Sequence, residues 1–125
     1  MHDVTEGGVL GAIYELAVAS DKGAMVDDEL IPIGNTASAI AALFGLDPRY
    51  CVGAGSMIIA CDSGKAKDVI KRLSEKDILC QEVGKITEKE AGIQIQKSGV
   101  TSPLTYLETD PYWSAYFNAI KDGWK

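Results

Sequence analysis

A chain of 125 residues, 46% hydrophobic and 24% charged, has the length of one ordinary domain and the balance of a folded globular protein, which excludes a disordered tail or a disulfide-dependent miniature. Its net charge of -6 offers no cationic footprint for a phosphate backbone, so nucleic acid is not an expected partner. Apolar stretches such as Met57 to Cys61 are far shorter than the roughly 20 residues of a membrane helix, and Met1-His2-Asp3 opens without an apolar leader. No membrane partner and a cytoplasmic location are expected.

In chain order, Gly7-Gly8 opens a run in which Val9, Leu10, Ile13, Leu16 and Ala17 recur at helical spacing, predicting a helix from Gly8 to about Ser20. Asp21-Lys22-Gly23 reads as its stop, with Gly23 in left-handed backbone, and Ala24 to Val26 as a short buried strand. Asn35 or Thr36 is placed to cap a second helix with Ala39, Ile40, Leu43 and Phe44 on one face, expected to be mostly buried and ended by Gly45. Met57 to Cys61 suits a central strand covered on both sides. Ser63 is placed to cap a third helix, where Ala66, Val69, Ile70 and Leu73 form a stripe and Lys65, Lys67, Lys71 and Arg72 a solvated face. Ile78 to Val83 and Gly92 to Gln96 read as strands separated by a turn at Thr87 to Glu90. Asp110-Pro111 starts a last helix, its aromatics, among them Trp113 and Phe117, expected to pack on the core. No linker or repeat divides the chain, and the order of elements implies mixed α/β architecture.

The chemistry concentrates at Asp3-Val4-Thr5-Glu6-Gly7-Gly8, directly before a helix. The first turn of a helix leaves backbone N–H groups unpaired at the positive end of its dipole, a setting that suits phosphate. Gly7 and Gly8 permit close approach to the backbone, Thr5 offers a hydroxyl, and Asp3 is placed to orient a reacting group or a metal-bound phosphate. The plainer alternative is that Thr5 only caps the helix. Gly53-Ala54-Gly55-Ser56 is a second segment able to line a cleft or merely bulge, with Gly55 and Ser56 the candidate contacts. It lacks the lysine and the following helix of a nucleotide P-loop. His2 is the lone histidine, which excludes a multi-histidine metal centre and leaves it as a candidate acid or base. Asp27-Asp28-Glu29 reads as a surface turn, and no metal site is expected. Cys51, Cys61 and Cys80 read as buried free thiols.

Taken together, Asp3 to Ala17, Ile31-Pro32-Ile33, Leu43 to Pro48, Gly55 to Ala60 and Val83 to Thr87 resemble the AIR synthase-related C-terminal domain over residues 2 to about 96, with the HypE-like members most similar. The resemblance implies a three-layer α/β/α domain, partly similar to a ferredoxin-like fold. In the whole protein this domain is joined to an N-terminal domain that dimerises and holds ATP and Mg2+, the site for the small-molecule substrate lying between the two. By that resemblance Met1 is either internal to a longer protein or an added start, the chain is a fragment without its ATP-binding domain, and it is inactive alone. The HypE-type motif reads Asp-Pro-Thr-Arg-Gly-Gly, so Asp3, Thr5, Gly7 and Gly8 match while Val4 and Glu6 depart. The chain ends Gly123-Trp124-Lys125 without the terminal cysteine of HypE proteins, so cyanide-forming chemistry is not expected. The competing class is a module that binds a small anion or a protein without catalysis.

Overall fold

Helix α1, Gly8–Ala19, forms as the periodicity predicts: Leu10, Ala12, Ile13 and Ala17 are buried, and Glu15 lies on the more exposed side. The computed structural model describes residues 1–124 and has four α-helices and two sheets among them, a mixed α/β architecture. Two compact units interleave along the chain. The first comprises Met1–Leu16, Ile33–Ile58 and the chain from Thr105 onward; the second comprises Ala17–Pro32 and Ile59–Leu104.

In the second unit a four-stranded sheet is ordered β4-β2-β5-β6, from β2 Gly23–Asp27, β4 Gly84–Thr87, β5 Ile93–Lys97 and β6 Val100–Pro103. Strand β2 pairs antiparallel with β4 and parallel with β5, and its Ala24 and Val26 are buried. The left-handed residue that ends α1 is Asp21, at φ 53°, where Gly23 was expected. Gly23 is required for a different reason: a Cβ there would lie 2.6 Å from the carbonyls of Glu88 and Gly92. Asp27 caps a 3-10 turn at Asp28–Leu30 by accepting the Glu29 N–H, and Asp28 is buried.

The segment Ile78 to Val83, expected as a strand, forms no ladder; pairing reaches only as far back as Val83, whose carbonyl accepts from the Asp27 N–H at 2.8 Å. Strands β4 and β5 flank β2 and are not partners of each other, so Thr87 to Glu90 is a connection across β2 and not a hairpin turn. The hairpin in this unit joins β5 to β6 through Ser98 and Gly99, both with positive φ (50° and 77°), the geometry that matches the right-handed twist of paired strands. Helix α3, Ala66–Ser74, keeps its predicted stripe half-buried and its Lys and Arg residues exposed, but Lys65, not Ser63, holds the cap position, with no side-chain cap bond.

In the first unit, α2 is Asn35–Phe44; Gly34 is the N-cap and gives no side-chain bond, while Gly45 closes the helix in left-handed backbone as expected. Only Ala41 of α2 is buried, and Ile40 and Leu43 are exposed. Periodicity located an apolar face correctly but carried no information on what covers it. The run Met57 to Cys61 gives a strand of two residues, β3 Met57–Ile58, because its partner β1, His2–Asp3, offers only two. Met57 is exposed, so this is an edge pairing and not a central strand. Helix α4, Pro111–Lys121, starts on Asp110, whose carboxylate accepts the Tyr112 N–H at 2.8 Å. Its Trp113, Tyr116 and Phe117 are exposed, contrary to the expected core packing; they stack chiefly on one another. No helix among the described residues is long and apolar enough to cross a membrane.

Candidate functional site

The antiparallel pairing His2↔Ile58 and Asp3↔Met57 sets the two glycine-bearing segments side by side. Past the ladder, the Val4 N–H donates to the Ser56 carbonyl at 3.0 Å and the Gly53 N–H donates to the Thr5 carbonyl at 3.3 Å. Gly53 is there because a Cβ would lie 2.5 Å from Val4 Cγ1. Thr5, Gly55 and Ser56 are exposed, and nothing approaches within 4 Å of where a Gly55 Cβ would stand, so this rim is open to a ligand. Thr5 uses its backbone, not its hydroxyl, to build the start of α1: its carbonyl also accepts the Gly8 N–H at 3.3 Å.

Gly7 and Gly8 both adopt left-handed backbone, φ 79° and 64°. For Gly8 the reason is also space, since a Cβ would run into the carbonyls of Arg49 and Cys51. That neighbouring segment is held by Asp47, which accepts the Arg49 backbone N–H at 3.0 Å and pairs with its guanidinium at 2.7 Å. The Gly7 N–H is not open to solvent: it donates to Asp110 Oδ2 at 3.0 Å, across 103 residues of sequence. Cys51 lies half-buried against this cluster, its Sγ donating to the Asp47 carbonyl at 3.3 Å. Burial first, then the carboxylates of Asp110 and Asp47, push its thiol pKa up, so it is a poor nucleophile. All three cysteines are free, but Cys61 is exposed and Cys80 half-buried, correcting the expectation of buried thiols.

At the other end of β1, His2 Nε2 lies 2.9 Å from Glu15 Oε2, and His2 Nδ1 lies 3.7 Å from Asp3 Oδ1. Glu15 Oε1 accepts from the Tyr106 hydroxyl at 3.1 Å, and the Tyr106 ring stacks on Tyr14 with centroids 4.6 Å apart. The hydrogen bond to Glu15 and then its charge raise the Tyr106 pKa, so Tyr106 remains a donor. His2 is thereby hydrogen-bonded to Glu15, with the Asp3 carboxylate near its other ring nitrogen.

The first unit thus brings His2, Asp3, Thr5, Gly7 and Gly8 into one continuous segment flanked by Gly55 and Ser56. Asp110, Glu15 and Tyr106 were not found from the sequence as members of it. Asp110 carried only a helix-start signal, and nothing local betrays a bond to Gly7. No group of three or more His, Cys, Asp or Glu side chains among the described residues is arranged to hold a metal ion.

The family described as AIR synthase related protein, C-terminal domain, matches residues 1–96. Among curated proteins, the chain is similar to the carbamoyl dehydratase HypE of Escherichia coli strain K12, 27% identical over 115 residues, covering 89% of this chain and 34% of that protein. Among solved structures it resembles E. coli HypE, a hydrogenase maturation protein, with TM-score 0.77 and 24% identity over 87% of this chain and 34% of that one. It also resembles a hydrogenase maturation protein HypE solved in complex with ATP, with TM-score 0.74 and 22% identity over 87% of this chain and 36% of that one. The chain spans about a third of the length of each of these relatives.

Proposed function

We propose, because this chain belongs to the AIR synthase related protein C-terminal domain family, that it is the carboxy-terminal part of a HypE-like ATP-dependent enzyme. In this reading the Asp3–Gly8 loop and the Gly55–Ser56 rim form one wall of an interdomain site for a phosphate or phosphorylated substrate. The observation that carries the reading is the union of the two glycine-bearing segments through the Val4–Ser56 and Gly53–Thr5 bonds, which leaves Thr5, Gly55 and Ser56 exposed along one rim. A preceding N-terminal domain supplies most of the ATP and Mg2+ contacts, dimerises, and acts with this chain in the cytoplasm.

The residues present fit the edge of a nucleotide site better than its centre. Gly55 allows close backbone approach and the Thr5 hydroxyl is free of structural duty, whereas Asp3 and Glu6 oppose a bare phosphate. A bound Mg2+ offsets such charge. Glu6, where HypE-type members carry Arg, therefore points to ligand contacts different from theirs. Asp3 orients the reacting group, and His2, held by Glu15, moves the proton.

Replacing Thr5 by Ala tests this in the protein assembled with its ATP-binding domain. Because the structural bonds at Thr5 come from its backbone, stability is expected to stay put while ATP turnover falls roughly tenfold or more, the scale of losing one hydrogen bond to a charged group. Unchanged turnover would sink the assignment. The exposed aromatics of α4 favour a second reading, a protein-interaction module without catalysis; in that case assembly occurs but turnover is absent with wild-type Thr5 as well.

A further inference from the structure

Asp110 retains only 4% of its exposure, and both carboxylate oxygens are used: Oδ1 accepts the Tyr112 N–H at 2.8 Å and Oδ2 accepts the Gly7 N–H at 3.0 Å. Capping α4 needs only the first bond. The second reaches the residue preceding α1, so one buried charge serves the positive ends of two helices. A carboxylate withdrawn from water this far persists only when it is paired or hydrogen-bonded, and these two N–H groups are what it has gathered. Asp110 also lies beyond residue 96, where the family match ends.

We propose that Asp110 is the positioning residue of the glycine loop. By holding the Gly7 N–H it locks the Gly7–Gly8 turn and ties α4 to the wall, so a ligand meets Thr5 and the Gly55–Ser56 rim and does not meet the Gly7 amide. The loop's anion-binding capacity is thereby divided: its inner amide is filled by an internal carboxylate, and its outer rim is left for the substrate. The importance of this clamp for function rests on the phosphate-facing reading above; the clamp itself does not.

Amide hydrogen exchange on the isotopically labelled chain tests it without any ligand. Asp110→Ser keeps a short acceptor for Tyr112 but does not reach Gly7, whereas Asp110→Ala removes both bonds. The Gly7 amide is expected to exchange roughly tenfold faster in both variants, while Tyr112 stays protected in the first and is released in the second. A purely capping role would release Tyr112 alone. Unchanged Gly7 protection in both variants overturns the proposal. Should the variants not fold, a scalar coupling through the hydrogen bond from Gly7 nitrogen to the Asp110 carboxyl carbon is expected in the wild type, and its absence overturns the proposal equally. Gly7 released in Asp110→Ser with turnover untouched by Thr5→Ala keeps the clamp and removes the phosphate-facing reading; the opposite pair removes the clamp and keeps that reading.

Discussion

Gly8 and Gly55 both sit in left-handed backbone, yet they answer to different constraints. Gly8 has the Arg49 and Cys51 carbonyls where a side chain would go, and Gly55 has open space. Gly8→Ala is expected to cost about 2–4 kcal/mol, from strain plus collision, against about 1 kcal/mol for Gly55→Ala from the backbone alone. Denaturant unfolding of the two variants checks the order, and equal losses would refute the packing argument. Among the thiols, Cys51 has a raised pKa because of burial and the nearby Asp110 and Asp47 carboxylates, which lowers its thiolate fraction, whereas Cys61 is exposed to reagent. Mass spectrometry of a timed alkylation should find Cys61 modified first and Cys51 several-fold later, a lag that shortens in Asp110→Ser. Prior modification of Cys51 would contradict the arrangement.

Helices α2 and α4 expose the apolar stripes that their periodicity predicts should be covered. Ile40 and Leu43 on α2, and Trp113, Phe117 and Ile120 on α4, are all exposed, and Phe44 meets Trp124 with ring centroids 5.3 Å apart. Leu43→Ala is therefore expected to change stability by less than about 0.5 kcal/mol, whereas Leu10→Ala in the buried stripe of α1 should cost about 3 kcal/mol. If the exposed α4 face is where the proposed ATP-binding domain docks, Phe117→Glu should leave the unfolding curve of the chain nearly unchanged but weaken that assembly at least about tenfold, the scale of losing an aromatic contact at the centre of an interface. Undiminished assembly would place the partner elsewhere. These same elements show what the sequence could convey. Asp110-Pro111 and Gly45 announced helix ends because capping chemistry is local, and α1 was legible because one stripe meets the core. By contrast, the two-residue β3 depended on how little partner β1 offered, and β6 was missed although Ser98-Gly99 carries a hairpin signal. At the site, the loop residues were legible as a glycine-bearing helix start, but Asp110, Glu15 and Tyr106 act through contacts spanning 13 to 103 residues, which no local pattern encodes.

At the scale of the whole molecule, the chain has two interleaved units, membership in a family whose match ends at residue 96, and about a third of the length of its relatives. The proposal that it supplies one wall of a two-part site explains together why an open rim carries Thr5, Gly55 and Ser56 and why α2 and α4 leave apolar faces uncovered. The most direct test is titration of the isotopically labelled chain with ATP, and separately with inorganic phosphate, first alone and then with its ATP-binding domain added. The account predicts resonance changes at Thr5, Gly55 and Ser56 only in the assembled protein, with the Gly7 amide held in its bond to Asp110. Tight binding by the chain alone, or assembly in which those three residues never respond to ligand, would contradict it.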